Sequence, residues 1–169
     1  MRTGLLLNND EVVAEYLFKH HVTPHMNYDA AIGILKDGIL IGGVLLQSWN
    51  GFNVELSYYG RGTLTHGIIR TLARIVIIGL KPSRLTVTVN RKNRVLMRGV
   101  RKLGFVLEGT QRRFYGDQDI NRNTGVRFVM FREQIEKLAQ IEKGENTKCR
   151  SGHHPVSILP TQPTSRTIN

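Results

Sequence analysis

Apolar residues recur along this chain at two spacings, and the alternation between them marks out its elements. Val12, Val13, Tyr16 and Leu17 lie three and four apart, one face of a helix that Asn9 or Asp10 can cap. A loop of His20, His21, Val22, Thr23, Pro24 and His25 follows. Residues 30–35 and 39–47 are apolar runs on either side of Asp37-Gly38, a dipeptide suited to a hairpin turn because both residues tolerate positive φ. Asn50-Gly51 is a second such turn and leads into a third strand over 52–58. Helical spacing returns over 63–78, where Ile68, Ile69, Leu72, Ile75 and Val76 form the expected buried stripe.

The most informative stretch runs from 84 to 115. Leu85, Val87 and Val89 alternate with Thr86 and Thr88, the period-two signature of a strand. A short loop ends in Asn93, and Val95/Leu96, Gly99/Val100 and Leu103 then supply a helical stripe. Gly104 stands where a left-handed residue would stop that helix, and Phe105, Val106 and Leu107 begin the next strand. Residues 126–131 form a last strand and 133–143 a charged closing helix. Beyond Gly144 the periodicity disappears and Pro155, Pro160 and Pro163 are scattered among Ser and Thr. The expected organisation is one domain over 1–143 and an extended tail over 144–169, which is either disordered or held by a partner, since such a segment cannot repay its ordering entropy alone.

Composition narrows the class. The chain is 40% hydrophobic, and its longest aliphatic run, Ile75 to Ile78, breaks at Gly79, far short of the ~20 residues that span a bilayer. The apolar run near the N-terminus meets Asn8, Asn9 and Asp10 at once, too soon for a signal peptide. A single cysteine, Cys149, excludes an internal disulfide framework, so a cytoplasmic setting is expected. His20, His21 and His25, with His153 and His154 after Cys149, lack the paired spacing of a zinc site, and no metal is expected.

Net charge is +11 and unevenly spread. Arg91, Lys92, Arg94, Arg98, Arg101, Lys102, Arg112 and Arg113 are opposed within their stretch only by Glu108. Such a stripe is a solvated helix face, a site for nucleic acid or another polyanion such as the nucleotide end of a coenzyme, or a surface for an acidic protein.

In their order, Asn93, Lys102-Leu103-Gly104-Phe105, Glu108-Gly109, Arg112 and Tyr115 resemble the second half of the GNAT superfamily of N-acetyltransferases. The resemblance implies an α/β fold with a mixed central sheet: an antiparallel meander, then strand-helix-strand, with flanking helices. It further implies acetyl-CoA as cofactor, with its pyrophosphate on backbone N–H groups at a helix N-terminus. The matching loop is Tyr59-Gly60-Arg61-Gly62-Thr63-Leu64. By resemblance Arg61, Gly62, Thr63, Leu64 and Thr65 face the pyrophosphate and Asn93 the pantetheine arm, while Glu55 is the catalytic base.

This chain departs from the family at three places. Tyr59 replaces a Gln or Arg, Leu64 replaces a small residue and would crowd the phosphates, and Val100 stands where many relatives carry a tyrosine acid. Local readings compete with the roles implied: the glycines as a tight strand-to-helix turn, Asn93 as a helix cap, Glu55 as a solvent-facing strand residue.

The implied activity is acetyl transfer to a primary amine. One alternative is a catalytically degenerate member, resembling versions encoded by tailed bacteriophages, that serves as a virion or assembly component and binds protein partners through residues 144–169 and its basic face. Another is a nucleic-acid-modifying enzyme, for which the His20-His21 region is loosely similar to Mom-type phage proteins. An enzyme should show a cleft between the strands ending near Tyr58 and Val89. A nucleic-acid modifier should place the basic stripe beside that cleft.

Overall fold

A meander of antiparallel strands opens the sheet and two helical crossovers extend it. The computed structural model describes residues 2–20, 27–60, 64–119 and 122–140. Its elements are β1 (Thr3–Leu6), α1 (Asp10–His20), β2 (Ala30–Lys36), β3 (Ile39–Gln47), β4 (Asn53–Gly60), α2 (His66–Gly79), β5 (Arg84–Asn90), α3 (Arg94–Lys102), β6 (Val106–Gln111), β7 (Gly125–Phe131) and α4 (Arg132–Ala139). They form one mixed sheet of order β1-β2-β3-β4-β5-β7-β6, in which only β4 and β5 are parallel neighbours. The mixed α/β architecture expected from the sequence is the one observed.

Local chemistry explains the turns. Asp37 and Gly38 both take positive φ, 49° and 84°, the geometry that joins β2 to β3 without splaying them. Asn50 Oδ1 accepts from the amides of Phe52 and Asn53 at 3.1 and 2.8 Å, closing the next turn around Gly51. At the end of α3 the Gly104 amide donates to the Arg101 carbonyl and the Phe105 amide to that of Val100. Gly104 has φ 99°, so the left-handed stop read from the sequence is present as a full Schellman closure.

Each face of the sheet has its own cover. On one, Val13, Ala14 and Leu17 of α1 pack against Ala31 and Leu45, with Tyr59 at the margin. Gly33 and Gly43 let the helix in: a Cβ at Gly33 would lie 3.0 Å from Val13, and one at Gly43 3.3 Å from Leu17. On the other, α2, α3 and α4 cover Val54, Leu85, Val87, Val89, Phe128 and Met130, contributing Ile68, Leu72, Val76, Val100 and Ile135 to one continuous core.

Three expected helix stripes are rotated by about one residue. Val12 is 56% exposed and Ala14 is buried in its place. In α2, Ala73 and Ile77 are buried, whereas Ile69 and Ile75 are only half-buried. In α3, Val95 is 78% exposed, and the inward set is Leu96, Met97, Val100 and Leu103. Spacing identifies a stripe, but at about 100° per residue its phase depends on the neighbour it meets. Strand β1 gives no periodic signal in four residues; β2 makes it a strand by pairing Thr3 with Lys36 through Leu6 with Gly33.

Among the described residues no helix is long and apolar enough to cross a membrane. The His21–His25 part of the histidine loop, the last residues of the expected closing helix, and the 144–169 tail with its expected partners lie outside the described residues.

Candidate active site

The parallel ladder between β4 and β5 consists of Asn53↔Arg84, Val54↔Leu85 and Glu55↔Thr86, and there it stops. Both strands continue, β4 to Gly60 and β5 to Asn90, but each is then held only on its outer side. β3 pairs with β4 as far as Gly42↔Gly60, and β7 with β5 as far as Asn90↔Gly125. The strands therefore part into a wedge, in the place where an enzyme was expected to have its cleft. The Arg84 amide donates to the Phe52 carbonyl at 3.1 Å, so by strand alternation the backbone groups of Leu56 and Tyr58 on β4, and of Thr86 and Thr88 on β5, point into the wedge.

At the open end, β4 is pinned by close backbone contact. A Cβ on Gly42 would fall 2.5 Å from the Tyr59 carbonyl oxygen and 3.0 Å from the Gly60 Cα. Gly60, the last residue of β4, has φ 149°. Arg61, Gly62 and Thr63 lie outside the described residues. Thr65 caps α2, its Oγ1 accepting from the Ile68 amide at 3.3 Å and its carbonyl from the Ile69 amide at 3.0 Å. His66 and Gly67 are exposed in the first turn, which carries no acidic residue, and a Cβ on Gly67 would meet nothing closer than 4.0 Å. That leaves an uncrowded positive helix end. Leu64 is half-buried and packs against the main core.

At the closed end of the wedge a polar network ties four strands together. Glu108 on β6 accepts from Arg84 on β5 through both oxygens, at 2.7 and 2.8 Å. Arg127 on β7 pairs with Glu55 on β4, and its Nε lies 3.9 Å from Glu108. Thr86 donates to Asn53 at 2.6 Å. Glu55 is thus not simply solvent-facing: it is half-buried and engaged by a guanidinium. A cavity of about 480 Å³ adjoins this network, lined by Asn50, Phe52, Asn53, Arg84, Glu108 and Arg127.

Tyr115, on the connection between β6 and β7, reaches to the wedge. Its hydroxyl donates to the Thr88 carbonyl at 3.1 Å, one of the groups that point inward. Burial, with Tyr59 nearby, pushes its phenol up to about 12, so it is a proton-bearing donor at neutral pH. Burial also raises the Tyr59 phenol, against a lowering hydrogen bond from Ser57. Sequence reasoning used Tyr115 as a family marker and missed its place, along with Arg127. Their signal was weak, because each meets the site only across the sheet. Val100, where the resemblance would put a tyrosine acid, is buried in the core.

Asn93 caps α3 through its Oδ1, which accepts from the Leu96 amide at 3.0 Å, and it stands at the open end of the wedge just past β5. Asn93 thus follows β5 at the open end, Leu64 and Thr65 lead into α2, and Glu55 stands at the closed end. Among the described residues no cluster of His, Cys, Asp or Glu could hold a metal.

No protein-family model matches this sequence, and no curated protein sequence matches it. Solved structures do resemble it. A spermidine/spermine N-acetyltransferase, SpeG from Vibrio cholerae, is 20% identical with TM-score 0.54 over 76% of this chain and 78% of that one. A GCN5-related N-acetyltransferase from Brucella melitensis is 18% identical with TM-score 0.53 over 66% and 54%. A GNAT-family acetyltransferase from Bacillus anthracis is 14% identical with TM-score 0.51 over 61% and 66%. The chain spans only 61%, 62% and 63% of three further acetyltransferase structures that it matches. The fold is the GNAT fold.

Proposed function

We propose that this chain is an N-acetyltransferase that draws its acyl group from acetyl-CoA and delivers it to a primary amine. The observation that carries this reading is the wedge, which opens beside an uncrowded helix N-terminus. Strand edges present amide and carbonyl groups that must be satisfied, and an extended chain carrying amides of its own can satisfy them. The pantetheine arm of acetyl-CoA is such a chain, and its pyrophosphate suits the positive end of α2.

The described residues at the open end, an uncrowded α2 N-terminus and Asn93, suit that cofactor. The loop Arg61, Gly62, Thr63, Leu64 and Thr65, with the amides of His66 and Gly67, would hold the pyrophosphate. Asn93 spends its oxygen on the helix cap and keeps its amide N–H groups for the pantetheine arm. When bound, acetyl-CoA would supply an acyl group already activated as a thioester. Glu55 would accept the ammonium proton directly or through a water, with Arg127 fixing the carboxylate's orientation. Tyr115 places a proton-bearing hydroxyl at the wedge, where Val100 offers none.

The test is calorimetric titration of acetyl-CoA into the full chain, with Gly62→Glu as control and the melting temperature of both proteins measured. Micromolar binding that is lost in a Gly62→Glu protein of unchanged melting temperature is the expected result. No binding up to millimolar acetyl-CoA would overturn the reading.

A further inference from the structure

At the open end of the sheet, three segments distant in sequence come together. The Arg91 amide donates to the Thr124 carbonyl at 3.0 Å, and the Tyr115 amide to the Asn123 carbonyl at 3.0 Å. Asn90 and Gln111 both face Gly125 across β7. The turn before α3 therefore lies beside the connection after β6. This puts Arg91, Lys92, Arg94, Arg112 and Arg113, all exposed, on one rim of the wedge, while Arg98, Arg101 and Lys102 run on down α3. Glu108, the only acid between Arg91 and Arg113, is held by Arg84; of the two acids further along the connection, Asp119 is paired with Arg122 and Asp117 is exposed. None of these rim cations takes part in an ion pair among the described residues. Phe114 follows Arg113 in the connection and is 48% exposed; its ring lies against Gly125, where a Cβ would fall 3.0 Å from Cγ, and is near-perpendicular to that of Tyr115 at 4.9 Å between centroids.

We propose that this rim binds single-stranded nucleic acid, with its phosphates on Arg91, Lys92, Arg94, Arg112 and Arg113 and an unpaired base stacked on Phe114. Unpartnered cations in a row recognise a chain of phosphates by charge and counterion release. A half-exposed aromatic beside them offers surface on which an unstacked base can stack. The sequence shows the charges but not the interleaving, because only the β5-β7-β6 pairing brings the segment of Phe114 to the end of the sheet that carries Arg91 and Lys92. The inference stands apart from the acetyltransferase reading, since binding is measured with no acetyl-CoA present.

The experiment is fluorescence anisotropy of a short labelled oligothymidylate with the full chain at several salt concentrations. Engagement of these five cations gives a log–log salt slope of about −3.5, a loss of about 100-fold in affinity between about 50 and 200 mM salt. The exposed triple variant Lys92→Ser/Arg94→Ser/Arg112→Ser should lower the slope to about −1.4 and weaken binding by about 100-fold at about 0.1 M salt. Phe114→Leu keeps the apolar volume and loses the ring; it should weaken binding about 5- to 100-fold and leave the salt slope unchanged. Four results would each overturn the proposal: no binding at low salt; full displacement by coenzyme A at its own affinity, which would assign the rim to the acyl donor; equal binding of a polyglutamate peptide; or equal binding of a matched duplex with no effect of Phe114→Leu.

Discussion

Gly42→Ala tests whether the open end of the wedge is set by backbone contact. Gly42 is absent from the positive-φ residues, so alanine meets no torsional objection there. The objection is purely steric. The new methyl would lie 2.5 Å from the Tyr59 carbonyl oxygen and 3.0 Å from the Gly60 Cα, about an ångström inside ordinary van der Waals contact. Both obstacles are main chain, so no rotamer change relieves the clash, and β3 and β4 must separate at the Gly42↔Gly60 pair. Overpacking of this kind costs about 1–3 kcal/mol, and the backbone origin of the clash argues for about 2. For a chain of this length that lowers the melting temperature by about 4–8 °C. The assay is urea unfolding together with a thermal melt. Gly4→Ala is the control, since a Cβ there meets nothing within 4 Å and should change stability by less than about 0.5 kcal/mol. Because the displaced segment leads directly to α2, acetyl-CoA binding should weaken as well. A Gly42→Ala protein as stable as Gly4→Ala would refute the close approach and the pinning argument with it.

Three further outcomes are expected. Glu55→Gln should slow amine acetylation by about 100-fold, measured as thiol release over an amine panel; its stability loss in urea should stay at or below about 1 kcal/mol, because the ion pair with Arg127 is partly open to solvent. Tyr115 has a phenol raised to about 12, above its unfolded value of about 10, so its contribution is fully present below about pH 10 and is lost as pH rises through about 12. Tyr115→Phe should therefore flatten the alkaline limb of the stability profile, as seen by circular dichroism against pH; an unchanged limb would contradict the raised phenol. Gly104→Ala should cost about 1 kcal/mol in urea unfolding, entirely from forcing a Cβ into φ 99°, since open space surrounds that position. Gly109→Ala, with equal space and no positive φ, is its neutral counterpart.

The sequence by itself determined what depends on near neighbours. Asp37-Gly38 and Asn50-Gly51 place the turns, the alternation of Leu85, Val87 and Val89 makes a strand, and Gly104 ends a helix, because each is decided by torsional preference or by spacing within a few residues. The run from Asn93 to Tyr115 was enough to suggest the fold. Tertiary structure alone decided the phase of each helix stripe, which is why Val95 faces solvent and Met97 the core, and it alone made a strand of the four residues of β1. It also decided the site. The wedge exists because β4 and β5 cease to pair after Glu55 and Thr86, a property of two strands separated by a helix. Glu55 acquires Arg127, Thr88 acquires Tyr115, and Arg91 acquires Thr124 through pairings that span the sheet. Local preference carries no information about such contacts, because their energy arises only when distant segments are brought together in one register.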